Sequence, residues 1–155
     1  MRAFFYDTWG FLALANARDT DHDLAAEGDR WRERNGYLVV TSDYVLDETL
    51  TGLHLAAGPR VAIRFLDLFL TRVAAETLQL LEINSIRREH SIDLFRKRIP
   101  ASPRLSFTDC TSFALMKELG IDLAFTSDRH FHQADTRIRP LFERRGGRTY
   151  WRPPK

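Results

Sequence analysis

Ser106-Phe107-Thr108-Asp109 opens the stretch that decides the fold, and Thr126-Ser127-Asp128 closes it. Between them run Cys110-Thr-Ser-Phe-Ala-Leu-Met-Lys-Glu-Leu119, the breaker Gly120, and Ile121-Asp-Leu-Ala-Phe125. The spacing predicts a helix over about 108–119, then a short buried strand over 122–126. Ser106 with Asp109 three positions later is an acidic version of a capping box. The unit therefore starts and ends on an aspartate flanked by hydroxyls.

The chain on either side repeats the alternation. Residues 2–6 read as a buried strand that stops at Asp7-Thr8, and 9–16 as a helix. Asp19-Thr-Asp21 signals the start of a second helix, about 22–34, which ends at Asn35-Gly36. Tyr37-Leu-Val-Val-Thr41 is apolar enough to be covered on both faces. Ser42 or Asp43 caps a helix over 43–57, and Pro59 starts another over 59–74. A third strand is expected over 77–83 and a basic helix over 84–98, stopped by Pro100 and Pro103. Past Asp128, Arg129–His132 suggests a short turn, 137–141 a fragment, and Arg148–Trp151 a last edge strand. Short apolar strands alternating with helices predict a three-layer α/β/α fold on a parallel sheet of four to five strands.

With 155 residues, 44% of them hydrophobic, the chain suits a single domain spanning 1–155, with a basic tail from about 140. No apolar run approaches a membrane span. The opening residues turn charged too soon for a signal peptide, and the lone Cys110 excludes a disulfide or a cysteine-built metal site. A cytoplasmic setting is the expectation. The net charge of +2 conceals a strong asymmetry. Residues 1–53 carry 5 Arg against 10 acids, whereas 137–155 carry 7 Arg/Lys against 1 acid and 87–104 carry 6 against 2. Acids gathered in one region and arginines in two others suit a cation site beside a polyanion-binding surface.

The parallel reading brings four acids together. Asp7 and Asp128 follow strand ends, Asp109 lies in the first turn of a helix, and Glu48 lies in the second turn of the helix after strand two. In a βαβ unit, strand C-termini and helix N-termini share one sheet edge. If strands one and four are neighbours, that edge holds a topological switch point. Carboxylates converging there repel one another unless a cation joins them, and hard oxygen ligands suit Mg2+ or Mn2+. Thr8, Ser106, Thr108 and Thr126 are placed to donate hydroxyls to the carboxylates or to a phosphate. Each acid alone also reads as a cap or a solvated residue, so the case rests on the shared rim. Arg87, Arg88, Arg96, Lys97 and Arg98 are candidate phosphate contacts, as are Arg129 and His130 beside the last acid. Cys110 reads as a packing residue.

These motifs resemble the PIN-domain family, the nucleases that include VapC-type toxins of toxin–antitoxin pairs. The resemblance rests on Phe5-Tyr-Asp7-Thr8, Val45-Leu-Asp-Glu48, Leu105-Ser-Phe-Thr-Asp109 and Ala124-Phe-Thr-Ser-Asp128-Arg-His-Phe131, in family order across the chain. It implies that Asp7, Glu48, Asp109 and Asp128 bind one or two Mg2+ or Mn2+ ions that activate water for RNA cleavage. It also implies a homodimer, and a small antitoxin whose peptide lies in a groove near the helices after strand two. Asp47, Tyr6 and Trp9 depart from the usual family residues, and the Arg-rich C-terminus lies outside the core motif. The competing readings are an inactive RNA-binding module, a solitary RNA-processing nuclease, and a phosphohydrolase. The last is disfavoured because the chain has no Gly-rich phosphate loop.

Overall fold

The computed structural model describes residues 2–135 and 137–155. Four strands appear where the apolar runs predicted them: β1 (Ala3–Tyr6), β2 (Leu38–Ser42), β3 (Leu78–Leu81) and β4 (Leu123–Phe125). A short fifth, β5 (Arg139–Pro140), completes a parallel sheet in the order β3-β2-β1-β4-β5. Around it lie α1 (Thr8–Ala15), α2 (His22–Arg34), α3 (Asp43–Ala57), α4 (Pro59–Ala74), α5 (Ser85–Arg98), α6 (Phe107–Leu119) and the short α7 (His130–Ala134).

Strand β1 occupies the centre because Phe4, Phe5 and Tyr6 are all fully buried. Burying each such side chain contributes about 1.5–3 kcal/mol. The sheet runs outward from β1 in two directions: to β2 and β3 on one side, and to β4 and β5 on the other. Phe5 pairs with Ala124 and Tyr6 with Phe125, and the Tyr6 and Phe125 rings stack 4.1 Å apart. The chain thus reverses its order between β1 and β4, where an α/β sheet opens a crevice at its strand ends.

Local chemistry fixes the helix ends. Ser42 caps α3 by accepting from the Val45 N–H, and Asn84 caps α5 by accepting from the Arg87 N–H. Helix α6 has the full reciprocal capping box of Ser106 and Asp109 and ends on Gly120, whose φ of 65° is left-handed. Helix α1 presses close to the sheet: a Cβ added to Gly10 would meet the Phe125 carbonyl oxygen and Cδ1 at 2.6 Å.

The C-terminus differs from the expected edge strand. Arg148–Trp151 forms β7, which pairs antiparallel with β6 (Phe142–Arg145) in a separate two-stranded sheet. Phe142 and Trp151 fix this hairpin to the core. Phe142 is buried 4.7 Å from Phe125, and Trp151 meets Phe142 at 4.9 Å and Trp31 at 6.0 Å. Among the described residues, no helix is long and apolar enough to cross a membrane.

Candidate active site

The switch point between β1 and β4 supplies two of the acids. Asp7 follows β1 directly and is 5% exposed. Its Oδ2 accepts from the Thr126 hydroxyl at 3.0 Å. The same Thr126 oxygen accepts from the Asp128 N–H at 3.1 Å, so one hydroxyl spans the ends of both strands. Asp128 Oδ1 in turn accepts from the His130 N–H at 2.8 Å and lies 2.9 Å from His130 Nδ1.

The other two acids arrive on helices. Asp109 is 8% exposed in the first turn of α6, and its Oδ2 accepts from the Ser106 N–H at 2.9 Å. Glu48 is half-buried in the second turn of α3 and accepts from the Thr8 hydroxyl at 2.5 Å. Its neighbour Asp47 faces solvent, because consecutive helical residues point about 100° apart.

Electrostatics ties the four together. Burial first, and then the Asp109 and Asp128 charges, push the Asp7 carboxyl up to about 7, against the lowering pull of hydrogen bonds from Thr8 and Thr126. Asp109 is also raised, chiefly by burial and further by Asp128 and Glu48. Among the described residues, no Lys or Arg forms an ion pair with any of the four. Asp7 and Asp109, buried, raised by burial and by neighbouring carboxylates and paired with no Lys or Arg, are the donor set that a hard divalent cation satisfies. Oxygens of Asp109 and Asp128 and a ring nitrogen of His130 lie within 4.8 Å of one another. His130 thus joins the acids as a candidate ligand, beyond the substrate contact expected from sequence. Its place two residues after Asp128, in a turn that folds back on that carboxylate, is the signal that could have found it.

The hydroxyls have separate roles. Those of Thr8 and Thr126 donate to Glu48 and Asp7, that of Ser106 instead accepts from the Asp109 main-chain N–H as a helix cap, and the Thr108 carbonyl accepts from Thr111 and Ser112. Cys110 is buried, and its thiol is pushed up to about 11 by burial and by Asp109.

The basic residues of α5 divide along the helix. Arg87 forms a two-pronged pair with Glu118 at 2.7 and 2.9 Å and also donates to the Glu82 carbonyl. Glu118 stands about 14 Å along α6 from Asp109, at 1.5 Å per residue, so Arg87 belongs to the far end of that helix. Arg88 donates to the Ile83 carbonyl at 3.3 Å near the same end. Arg98 donates to the Gln133 carbonyl, and Arg96 and Lys97 are exposed. Arg129, by contrast, is exposed directly beside Asp128.

Comparison with known proteins bears on the fold and the family. The PIN domain sequence profile matches residues 5–136. The 23S rRNA-specific endonuclease VapC20 of Mycobacterium tuberculosis is 34% identical over 143 residues, covering 88% of this chain and 98% of that protein. The crystal structure of M. tuberculosis VapC20, described as a sarcin–ricin loop cleaving toxin, superposes with a TM-score of 0.71 at 29% identity, covering 86% of this chain and 95% of the other. VapBC2 from Rickettsia felis, solved bound to a promoter DNA fragment, shares the fold with a TM-score of 0.63 at 15% identity, over 86% of this chain and 93% of that one. The acid-lined switch point and the match across residues 5–136 lead to one conclusion: the chain belongs to the PIN-domain family.

Proposed function

We propose that this protein is a metal-dependent endoribonuclease and the toxin of a toxin–antitoxin pair. The observation that carries the reading is the convergence of Asp7, Glu48, Asp109 and Asp128 on one rim, where burial and the neighbouring acids raise Asp7 and Asp109 and no Lys or Arg among the described residues pairs with any of the four. These four residues would hold Mg2+ or Mn2+, which would supply a water of lowered pKa and positive charge beside the scissile phosphate. The chain's own part is positioning. Thr126 holds Asp7 and Asp128 in register, the Ser106 box fixes Asp109, and Thr8 fixes Glu48. Thr108, in the first turn of α6 beside Asp109, is the remaining hydroxyl offered to the substrate phosphate.

The similarity to VapC20 supports a structured loop of 23S rRNA as substrate. A cytoplasmic homodimer and an antitoxin partner complete the proposal. On α4, Ile63 and Leu70, seven residues apart and so on one side of the helix, are exposed by 50–59%, an apolar pair that supports docking of a partner.

The test incubates purified protein with 23S rRNA and with an isolated sarcin–ricin stem-loop in Mg2+ or Mn2+. Site-specific cleavage is expected, lost in EDTA and lost in Asp109→Asn, whose amide oxygen can still accept from Ser106. Cleavage that survives either treatment overturns the proposal.

A further inference from the structure

A groove of about 1240 Å3 starts at Ser127 and Asp128 and continues between β5 and the C-terminal hairpin. Its walls carry Arg104, Arg129, Arg139, Arg144, Arg152 and Lys155, against two acids, Asp128 and Glu143. Arg152 is engaged by Glu143 at 3.0 Å, an exposed pair that contributes little. Arg104, Arg129, Arg139 and Arg144 are exposed and form no ion pair among the described residues. Four uncompensated guanidiniums along one cleft are a track for phosphates. The cleft is also rigidly backed, because Phe142 and Trp151 lock the hairpin against Phe125 on β4.

We propose that this hairpin groove is the track along which the RNA strand leaves the acidic rim, with Arg104, Arg129, Arg139 and Arg144 neutralising successive phosphates. The occupant follows from charge and continuity: the groove is cationic along its length and ends on Asp128. The proposal rests on the nuclease reading for the identity of the polyanion. It moves the principal RNA contacts away from α5, where Arg87 is held by Glu118 and Arg88 and Arg98 are bonded to backbone carbonyls.

The test measures binding of a fluorescein-labelled RNA stem-loop in EDTA, where no cleavage occurs, over a series of KCl concentrations. Arg139→Ala/Arg144→Ala is expected to reduce the slope of log Kobs against log [KCl] by about two, one for each lost phosphate contact. Arg139→Lys/Arg144→Lys is expected to retain the slope, and Arg96→Ala/Lys97→Ala on α5 to leave it unchanged. An unchanged slope in the Arg139→Ala/Arg144→Ala protein overturns the proposal, as does a larger effect from the α5 pair. Displacement of the RNA by poly-glutamate at equal charge concentration also overturns it, assigning the groove to an acidic protein. Failure here is separable from failure of the nuclease reading. Metal-dependent cleavage by the wild type with a slope indifferent to Arg139 and Arg144 removes only the groove. Binding lost in the groove variant, with no wild-type cleavage in any metal, removes only the nuclease.

Discussion

Replacing Asp7 by Asn is expected to stabilise the metal-free protein at neutral pH. The Asp7 carboxyl is held at about 7 in the fold, against an ordinary value of 3.8. Each pH unit of such a difference is worth 1.36 kcal/mol, so an ionised Asp7 costs the folded state about 4 kcal/mol. The sign follows from proton binding. Between pH 3.8 and about 7 the folded chain holds a proton that the unfolded chain has released. Stability therefore falls across that window and levels off above it. The asparagine of the Asp7→Asn variant cannot ionise, yet its amide oxygen can accept from Thr126 and Thr8 as the carboxylate does. No helix cap is lost either, because Asp7 makes no side-chain capping bond to α1. The amide N–H2 needs a partner of its own, which reduces the gain to about 2–4 kcal/mol. At this chain length that is a rise in Tm of roughly 4–16 °C. Differential scanning fluorimetry in EDTA should show the gap at pH 8 and its disappearance at pH 4. Added Mn2+ should then stabilise the wild type and leave Asp7→Asn nearly unmoved. A variant no more stable than wild type at pH 8, or a gap independent of pH, would refute the picture of an uncompensated buried acid.

Two further perturbations probe the supports of the rim. Thr126→Val removes the hydroxyl that bridges Asp7 and Asp128 while keeping its volume, and should weaken Mn2+ binding by roughly 10–100-fold in calorimetry with little change in fold. Gly10→Ala forces a Cβ against the Phe125 carbonyl, and should cost about 1–3 kcal/mol in urea unfolding despite alanine's better helix propensity.

The strands and helices were legible because each has one dominant signal. Buried apolar runs mark β1 and β2, and Ser42, Pro59, Ser106 and Gly120 punctuate the helices at their observed ends. Once the sheet is parallel, the shared rim of the four acids follows from connectivity alone. The hairpin was not legible for a local reason. Phe142-Glu-Arg-Arg145 has only one buried side chain, so half of β6 reads as charged coil until β7 and Phe125 are placed beside it. The exposed Leu68 on α4 shows a different limit: helical spacing marks a residue as apolar without saying which face has a neighbour. Arg87 shows a third, since a basic run in sequence does not reveal that Glu118 waits across the helix pair.

The hydrogen bond from Thr126 to Asp7 joins residues 119 positions apart, across the central seam of the sheet. At roughly 5–20 residues per second of synthesis, the second partner follows the first by roughly 6–24 s. Through that interval Asp128 is missing, and Asp109 is added only near its end. Long-range pairings of this kind are also slow to close once made available. Whatever chemistry the rim performs is therefore withheld until translation has passed β4 and the last parallel strand pairing has formed. A product stalled before β4 lacks Asp128 and the β1–β4 pairing, so the strand order places completion of the rim late in synthesis.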